Sequence, residues 1–330
     1  MIAEGRLITS LEKKTSDPED IKRQDSVEKR IQPSSFEPLL ADTGFILDTD
    51  VEGLFRGSDN DSVYRTLLHL PKRQRQEIDL TNGFQLDVGY SYLIKLNEKV
   101  ILEKDERLRS SPKSSIGRDF VNSRLLADYH HSYDEAIFKG KNPLDLWLLV
   151  QPLAFNVIVK SGLTLNQLRF FKGVSPQFSE EEVMEMHRSS PLLLDINNIS
   201  LPKDIQFGQL TTTLNLEGKS TSGIVGLQAR KNPIPIDLSI EKGAIAENYF
   251  EPVVVKNREF APVPGRYYLL SSNEVLNIPA NANAELRAAH HTGLQGLMHF
   301  AGFIDNGFTG DLVLELRSDE NSPIVLKHGT

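Results

Sequence analysis

Cysteine is absent from the 330 residues, which excludes disulfides and every thiolate metal centre. No apolar run approaches the ~18 residues that a bilayer-spanning helix needs. The opening residues, MIAEGRLITSLEKK, lack the apolar core of a signal peptide. Nor is there a block of one positive sign: Lys+Arg 37 against Asp+Glu 45 gives a formal net charge of −8. A nucleic-acid partner is therefore not expected, whereas a local basic pocket for a small anion is compatible with this balance. These absences lead us to expect a cytoplasmic protein with no membrane association.

What is present is a texture of short apolar runs. Leu11 to Arg30 is charge-rich with little periodicity and reads as a surface segment. From Ile31 onward, runs such as Gly44–Leu47, Tyr90–Leu96 and Phe155–Val159 are separated by Pro, Gly, Asn and Asp. That spacing predicts an all-β sandwich or barrel. Short helices are expected over Tyr64–Leu70 and Ser179–His187, the second capped by Ser179 ahead of Glu180, Glu181 and Glu182. The second helix falls in a segment, 172–200, that reads as a linker between a first half, 1–171, and a second, 201–330.

The halves are related. Gly89, Tyr92, Leu93, Asn97 and Glu98 recur as Gly265, Tyr268, Leu269, Asn273 and Glu274, each displaced by 176 residues. Two copies are too few for a solenoid, so this is a duplicated domain.

The chemistry-bearing stretches divide between the copies. In the first, Pro112-Lys113-Ser114-Ser115-Ile116-Gly117-Arg118 follows a basic stretch containing Arg107 and Arg109. Adjacent hydroxyls, a glycine and an arginine form a phosphate cradle in which Arg118 binds two oxygens at once. Adjacent serines before a turn also serve as simple local caps. The same displacement leads to His290-His291-Thr292-Gly293, where only the glycine survives.

In the second copy, Asp311–Arg317 alternates, with Leu312, Leu314 and Leu316 on one face and Val313, Glu315 and Arg317 on the other. A carboxylate fixed on a strand suits general acid/base work. An exposed face carrying a Glu315–Arg317 charge pair is the simpler reading of the pattern. The corresponding strand of the first copy, Leu146–Val150, has Leu149 where Glu315 stands. One copy keeps the phosphate-type segment and the other keeps the acid, which predicts a composite site. The pairs His130-His131 and His290-His291 lack an obvious third ligand, so no metal is assigned to them.

Taken together, IQPSSFEPLL (31–40), PKSSIGR (112–118), LNQLRF (165–170), AGFIDNGF (301–308) and VLELRS (313–318) resemble the duplicated bacterial form of deoxycytidine triphosphate (dCTP) deaminase, in the dUTPase-like superfamily. The resemblance covers most of residues 30–330. It implies a mainly β fold: a tandem duplication of a dUTPase-like (β-clip) barrel or sandwich with a few short helices. It also implies hydrolytic deamination of dCTP to dUTP and ammonia, a small-molecule deoxynucleotide as partner, Mg²⁺ carried with the triphosphate, no zinc, and homo-oligomers. By position, Glu315 matches the proton-shuttling glutamate and Ser114 the catalytic serine that helps to place the water. Ser115 and Arg118 match phosphate ligands, Asp305 the acid near the sugar, and Gln167 a structural glutamine. His299 matches a position lining the base pocket, with a buried structural histidine as the alternative.

The absence of cysteine excludes the zinc-activated water of the His/Cys/Cys deaminases as normally built. Several features depart from the family pattern: Glu37 replaces the aspartate of an SxD motif, Leu149 the first-half glutamate, and Asn306 a proline. A final strand is expected to be missing after His328-Gly329-Thr330. Two further activities stay in view, a dUTP pyrophosphatase (alone or joined to the deaminase) using Asp305, and a non-catalytic nucleotide-binding homologue.

Overall fold

The computed structural model describes residues 7–8, 27–48, 61–173, 177–218, 223–231, 234–240, 246–287, 300, 302–318 and 324–329. The chain forms two compact units, Met1–Ser175 with Ile234–Gly243, and Pro176–Pro233 with Ala244–Thr330.

The first unit contains β1 (Leu40–Leu47), α1 (Val63–His69), β2 (Arg75–Asp79), β3 (Phe84–Leu86), β4 (Ser91–Val100), β5 (Glu106–Pro112), α2 (Ser114–Arg118), β6 (Val121–Ala127), β7 (Glu135–Ile137), β8 (Leu144–Pro152), β9 (Val157–Val159) and β10 (Asn166–Lys172). One sheet runs β2-β1-β4-β8-β6 and a second runs β10-β5-β7. In β8 the run Leu146-Trp147-Leu148-Leu149-Val150 is buried throughout, so both faces of that strand are covered. The mainly β reading of the sequence holds. The basic stretch around Arg107 and Arg109 is itself a strand, β5, whose Leu108 and Ser110 turn inward.

In the second unit, residues 172–200 carry more than a connection. Ser179 and Glu182 close a reciprocal cap on α3 (Glu180–Ser189), and β11 (Leu193–Leu194) pairs with the central strand of the unit. Beyond these come β12 (Ile224–Ala229), β13 (Ile236–Asp237), α4 (Ala246–Tyr249), β14 (Phe250–Val254), β15 (Glu259–Phe260), β16 (Tyr267–Asn277), β17 (Ala284–Glu285), β18 (Phe303–Ile304), β19 (Thr309–Arg317) and β20 (Leu326–Lys327). The sheet runs β11-β16-β12-β14, and β19 also pairs with β16. Strand β13 belongs to the first unit, where it adds in parallel to β9 through Ile236 N–H to Asn156 O and Leu238 N–H to Ile158 O.

The duplication extends to the strand register. Leu93 faces Leu149 across β4 and β8, and Leu269 faces Glu315 across β16 and β19. The same bulge interrupts both pairs, between Lys95 and Lys99 in the first and between Ser271 and Val275 in the second.

The five repeated identities are explained by the fold. Gly89 and Gly265 take φ of 91° and 71°, a region that favours glycine. The Tyr92 hydroxyl accepts the Asp87 N–H, and that of Tyr268 accepts the Val263 N–H, both at 2.8 Å. Leu93 and Leu269 are buried. Asn97 and Asn273 donate their backbone N–H to Leu39 O and Thr213 O. Glu98 and Glu274 accept the N–H groups of the same two residues, at 2.8 and 2.6 Å. Burial pushes the Glu98 carboxyl above its ordinary value, against the pull of Arg30 2.6 Å away.

Candidate active site

Helix α2 is a single turn set directly on the end of β5. The Lys113 carbonyl accepts the Ile116 and Gly117 N–H groups at 2.9 and 3.0 Å, which starts the turn. Phe120, wholly buried at φ 54°, ends it by donating its N–H to Gly117 O. Helical spacing then sorts the segment: Ile116 and Gly117 face inward, while Ser114, Ser115 and Arg118 are exposed together. Beside them Asp119 is pushed up to about 6 by burial, with Arg118 opposing. The expected cradle is thus a helical turn rather than an open loop, with its three polar side chains all facing solvent.

Behind this turn, the strap Ile31–Leu39 is fixed to the sheet. Phe36 bridges Leu168, and Ser35 Oγ donates to Gln167 Oε1 at 3.0 Å, giving Gln167 its structural role.

In the second unit Glu315 is 2% exposed, more buried than either flanking leucine. The exposed-face reading of Glu315 is therefore corrected: alternation identifies two faces but not which of them a sheet covers. Arg317 stacks over the Tyr267 ring at 5.6 Å, and its Nε is buried without a hydrogen-bond partner among the described residues. Asp305 follows β18 in a turn with Gly307 at φ 73°, where the Asp305 carbonyl accepts the Phe308 N–H and Asn306 Nδ2 donates to Ala280 O. His299, Ala301, His290 and His291 lie outside the described residues.

His130 is held as a local structural residue. Its Nδ1 lies 2.7 Å from Asp128 O and its Nε2 accepts the Ile137 N–H at 3.0 Å, a tautomer assigned from these contacts. Glu37, Lys113 and Thr164, which neither alternation nor motif matching brings together, meet side chain to side chain beside α2. The signal was available in the unusual glutamate at position 37.

Two family models match nearly the whole chain: the N-terminal domain of 2'-deoxycytidine 5'-triphosphate deaminase over residues 5–174, and its C-terminal domain over 179–330. Among curated proteins, a "dCTP deaminase, dUMP-forming" of Corynebacterium jeikeium is 41% identical over 68 residues, 20% of this chain and 36% of that protein. A protein of the same name from Mycobacterium bovis is 38% identical over 77 residues, 23% of this chain and 40% of the relative. The chain thus spans about two fifths or less of the curated relatives it matches. A crystal structure of 2'-deoxycytidine 5'-triphosphate deaminase from Agrobacterium tumefaciens superposes with a TM-score of 0.82 at 24% identity, covering 99% of this chain and 91% of that one, a likeness of fold. On the extent of the two domain matches, the chain belongs to the 2'-deoxycytidine 5'-triphosphate deaminase family.

Proposed function

We propose that this chain deaminates dCTP hydrolytically, releasing dUTP and ammonia. The observation that carries the reading is Glu315, a carboxylate buried on a core strand at the register position where the first unit has Leu149. A sheet that buries a charged group at a position where its own duplicate uses leucine accepts a desolvation cost, which a working acid/base justifies. Arg118 grips two phosphate oxygens, Ser115 donates to a third, and Ser114 orients the attacking water. Glu315 takes a proton from that water as oxygen bonds to C4. It returns one proton to the ring nitrogen and, when the C4–N4 bond breaks, another goes to the departing ammonia. A single fixed carboxylate performs these transfers in sequence.

Asp305 is assigned to the sugar and His299 to the base pocket. Among the described residues no group of three or more His, Cys, Asp or Glu stands ready for a metal. Mg²⁺ is assigned to the incoming triphosphate, where it neutralises phosphate charge. A second reading adds onward hydrolysis to dUMP, favoured by the words "dUMP-forming" in the names of the curated relatives.

The test is ammonia release with chromatography of products from dCTP, dUTP and CTP in Mg²⁺. Ammonia with dUTP or dUMP from dCTP supports the deaminase and identifies its product; pyrophosphate from dUTP without ammonia from dCTP moves the activity to a pyrophosphatase. Glu315→Gln is expected to lower deamination by about 10²–10⁴-fold while dCTP still binds. Undiminished turnover in that variant sinks the assignment of Glu315.

A further inference from the structure

Lys113 directly precedes Ser114, and a lysine there invites the reading of a fourth phosphate ligand. Its surroundings point elsewhere. The ammonium lies 2.5 Å from Glu37 Oε2 and 2.8 Å from Thr164 Oγ1, and the Thr164 hydroxyl donates to the same Glu37 oxygen at 3.0 Å. The two charged side chains are only 25% and 12% exposed, so the pair is shielded enough to hold against competing water.

Two corners of this triangle are also anchored through their backbones, and the third adjoins such an anchor. Glu37 donates its N–H to Arg30 O and accepts from Arg30 Nη1, each at 3.0 Å. Lys113 donates its N–H to Leu165 O at 2.9 Å, one residue beyond Thr164. The Lys113 carbonyl is the acceptor that starts α2. Fixing the Lys113 side chain therefore fixes the peptide on which the turn is built, and with it the directions of Ser114, Ser115 and Arg118.

We propose that Lys113 is a positioning residue, clamped by Glu37 and Thr164, and that this clamp sets the affinity of the Ser114–Arg118 turn for a triphosphate. The inference rests on reading that turn as the phosphate-binding segment. It reverses the sign expected of a ligand. Were Lys113 a phosphate ligand, Glu37→Gln would release its ammonium, remove a nearby negative charge and tighten phosphate binding. With Lys113 as a clamp, the same substitution frees the turn and weakens binding.

The experiment uses the full chain and two readouts. Amide hydrogen exchange at Ile116 and Gly117, which needs no nucleotide, is expected to quicken by about tenfold in Glu37→Gln and in Lys113→Met, since each breaks the same shielded pair. The double variant is expected to be no faster than either single, the mark of shared function. Lys113→Arg, which still bridges Glu37, is expected to keep slow exchange. Titration with tripolyphosphate, and with dCTP in the Glu315→Gln background, is expected to show about tenfold weaker binding in each single variant, again without additivity. In the otherwise native chain the dCTP KM rises with them, and Lys113→Arg restores it.

Unchanged exchange, or tighter tripolyphosphate binding by Glu37→Gln, overturns the proposal. Wild type that binds neither tripolyphosphate nor dCTP overturns the phosphate reading and the affinity claim with it, while the exchange data still decide the clamp. Should Glu37→Gln fail to fold, Thr164→Val removes one hydroxyl from the triangle and is expected to act in the same direction with a smaller effect.

Discussion

Leu149 and Glu315 occupy one position in two copies of the same sheet, and both are buried, at 5% and 2% exposed, so the difference between the copies is one of chemistry. In the first unit α1 lays Val63 and Leu67 into a cluster with Phe45, Leu47, Leu93, Leu126, Trp147 and Leu149. The helix is fastened at its start, where Ser62 Oγ accepts the Arg65 N–H and Asp128 the Val63 N–H. The corresponding connection in the second unit, between β12 and β14, is used otherwise: β13 belongs to the first unit, and only the single turn α4 remains among the described residues. A buried carboxylate costs several kcal/mol unless it is paired, and the wholly apolar cluster around Leu149 offers a glutamate no partner.

The largest effect that would break this comparison comes from exchanging the residues. Leu149→Glu is expected to destabilise the first unit by about 3–5 kcal/mol, as a charge forced into a packed cluster. Glu315→Leu, which removes a buried, partnered carboxylate but brings in no new charge, is expected to cost less, about 1–3 kcal/mol. Denaturant unfolding checks both, with the sole tryptophan, Trp147, reporting on the first unit. Equal losses would remove this difference between the two copies.

A middle-sized effect sharpens it. Gly44 and Gly226 sit at equivalent positions, opposite Ile94 and Leu270. A Cβ on Gly226 would stand 2.3 Å from Leu269 O and 2.5 Å from Leu270 Cδ2, whereas on Gly44 its nearest neighbours are side chains at 3.2 Å. Gly226→Ala is therefore expected to cost about 2 kcal/mol or more and Gly44→Ala about 1 kcal/mol or less, ordered by thermal melting. Inversion of that order would contradict this difference in packing.

The smallest effect is one of pH, with opposite signs in the two units. His187 in α3 accepts the Leu192 N–H through Nδ1 and lies 2.7 Å from Ser200 Oγ, and burial holds its pKa below the ordinary value. Its contribution to the second unit is complete above the unfolded histidine value and is lost as pH falls. Burial pushes Asp119 and Asp128 of the first unit up to about 6. Raised carboxyl values make the native form bind protons that the unfolded chain has released, so this contribution is lost as pH rises through about 6. From about pH 7.5 down to about pH 5.5, the Trp147 transition is expected to rise relative to exchange protection around His187. Asp128→Asn is expected to flatten the response of the first unit.

Much of this was legible beforehand because it is local. The cap at Ser179 and the register of the repeat follow from residue types at fixed spacing, and the equivalence of Leu149 and Glu315 follows from counting along two strands. The burial of Glu315 was not legible, since alternation says which residues share a face and not what is packed against it. Strand β5 hid behind Arg107 and Arg109, whose charges point away from the inward Leu108. The Glu37–Lys113–Thr164 triangle joins three segments distant in sequence, and only the fold brings them together.

Strand β13 has a consequence for the order in which the protein can be made. The sheet it completes is otherwise finished by residue 159, yet its outer strand leaves the ribosome only after Asp237 has been added. Until then the edge of β9 is open, in a chain that emerges at about 5–20 residues per second. Ending an expression clone near residue 175 would make that temporary exposure permanent. The first half is thus a sequence repeat whose smallest sheet is completed only by a strand made about eighty residues later.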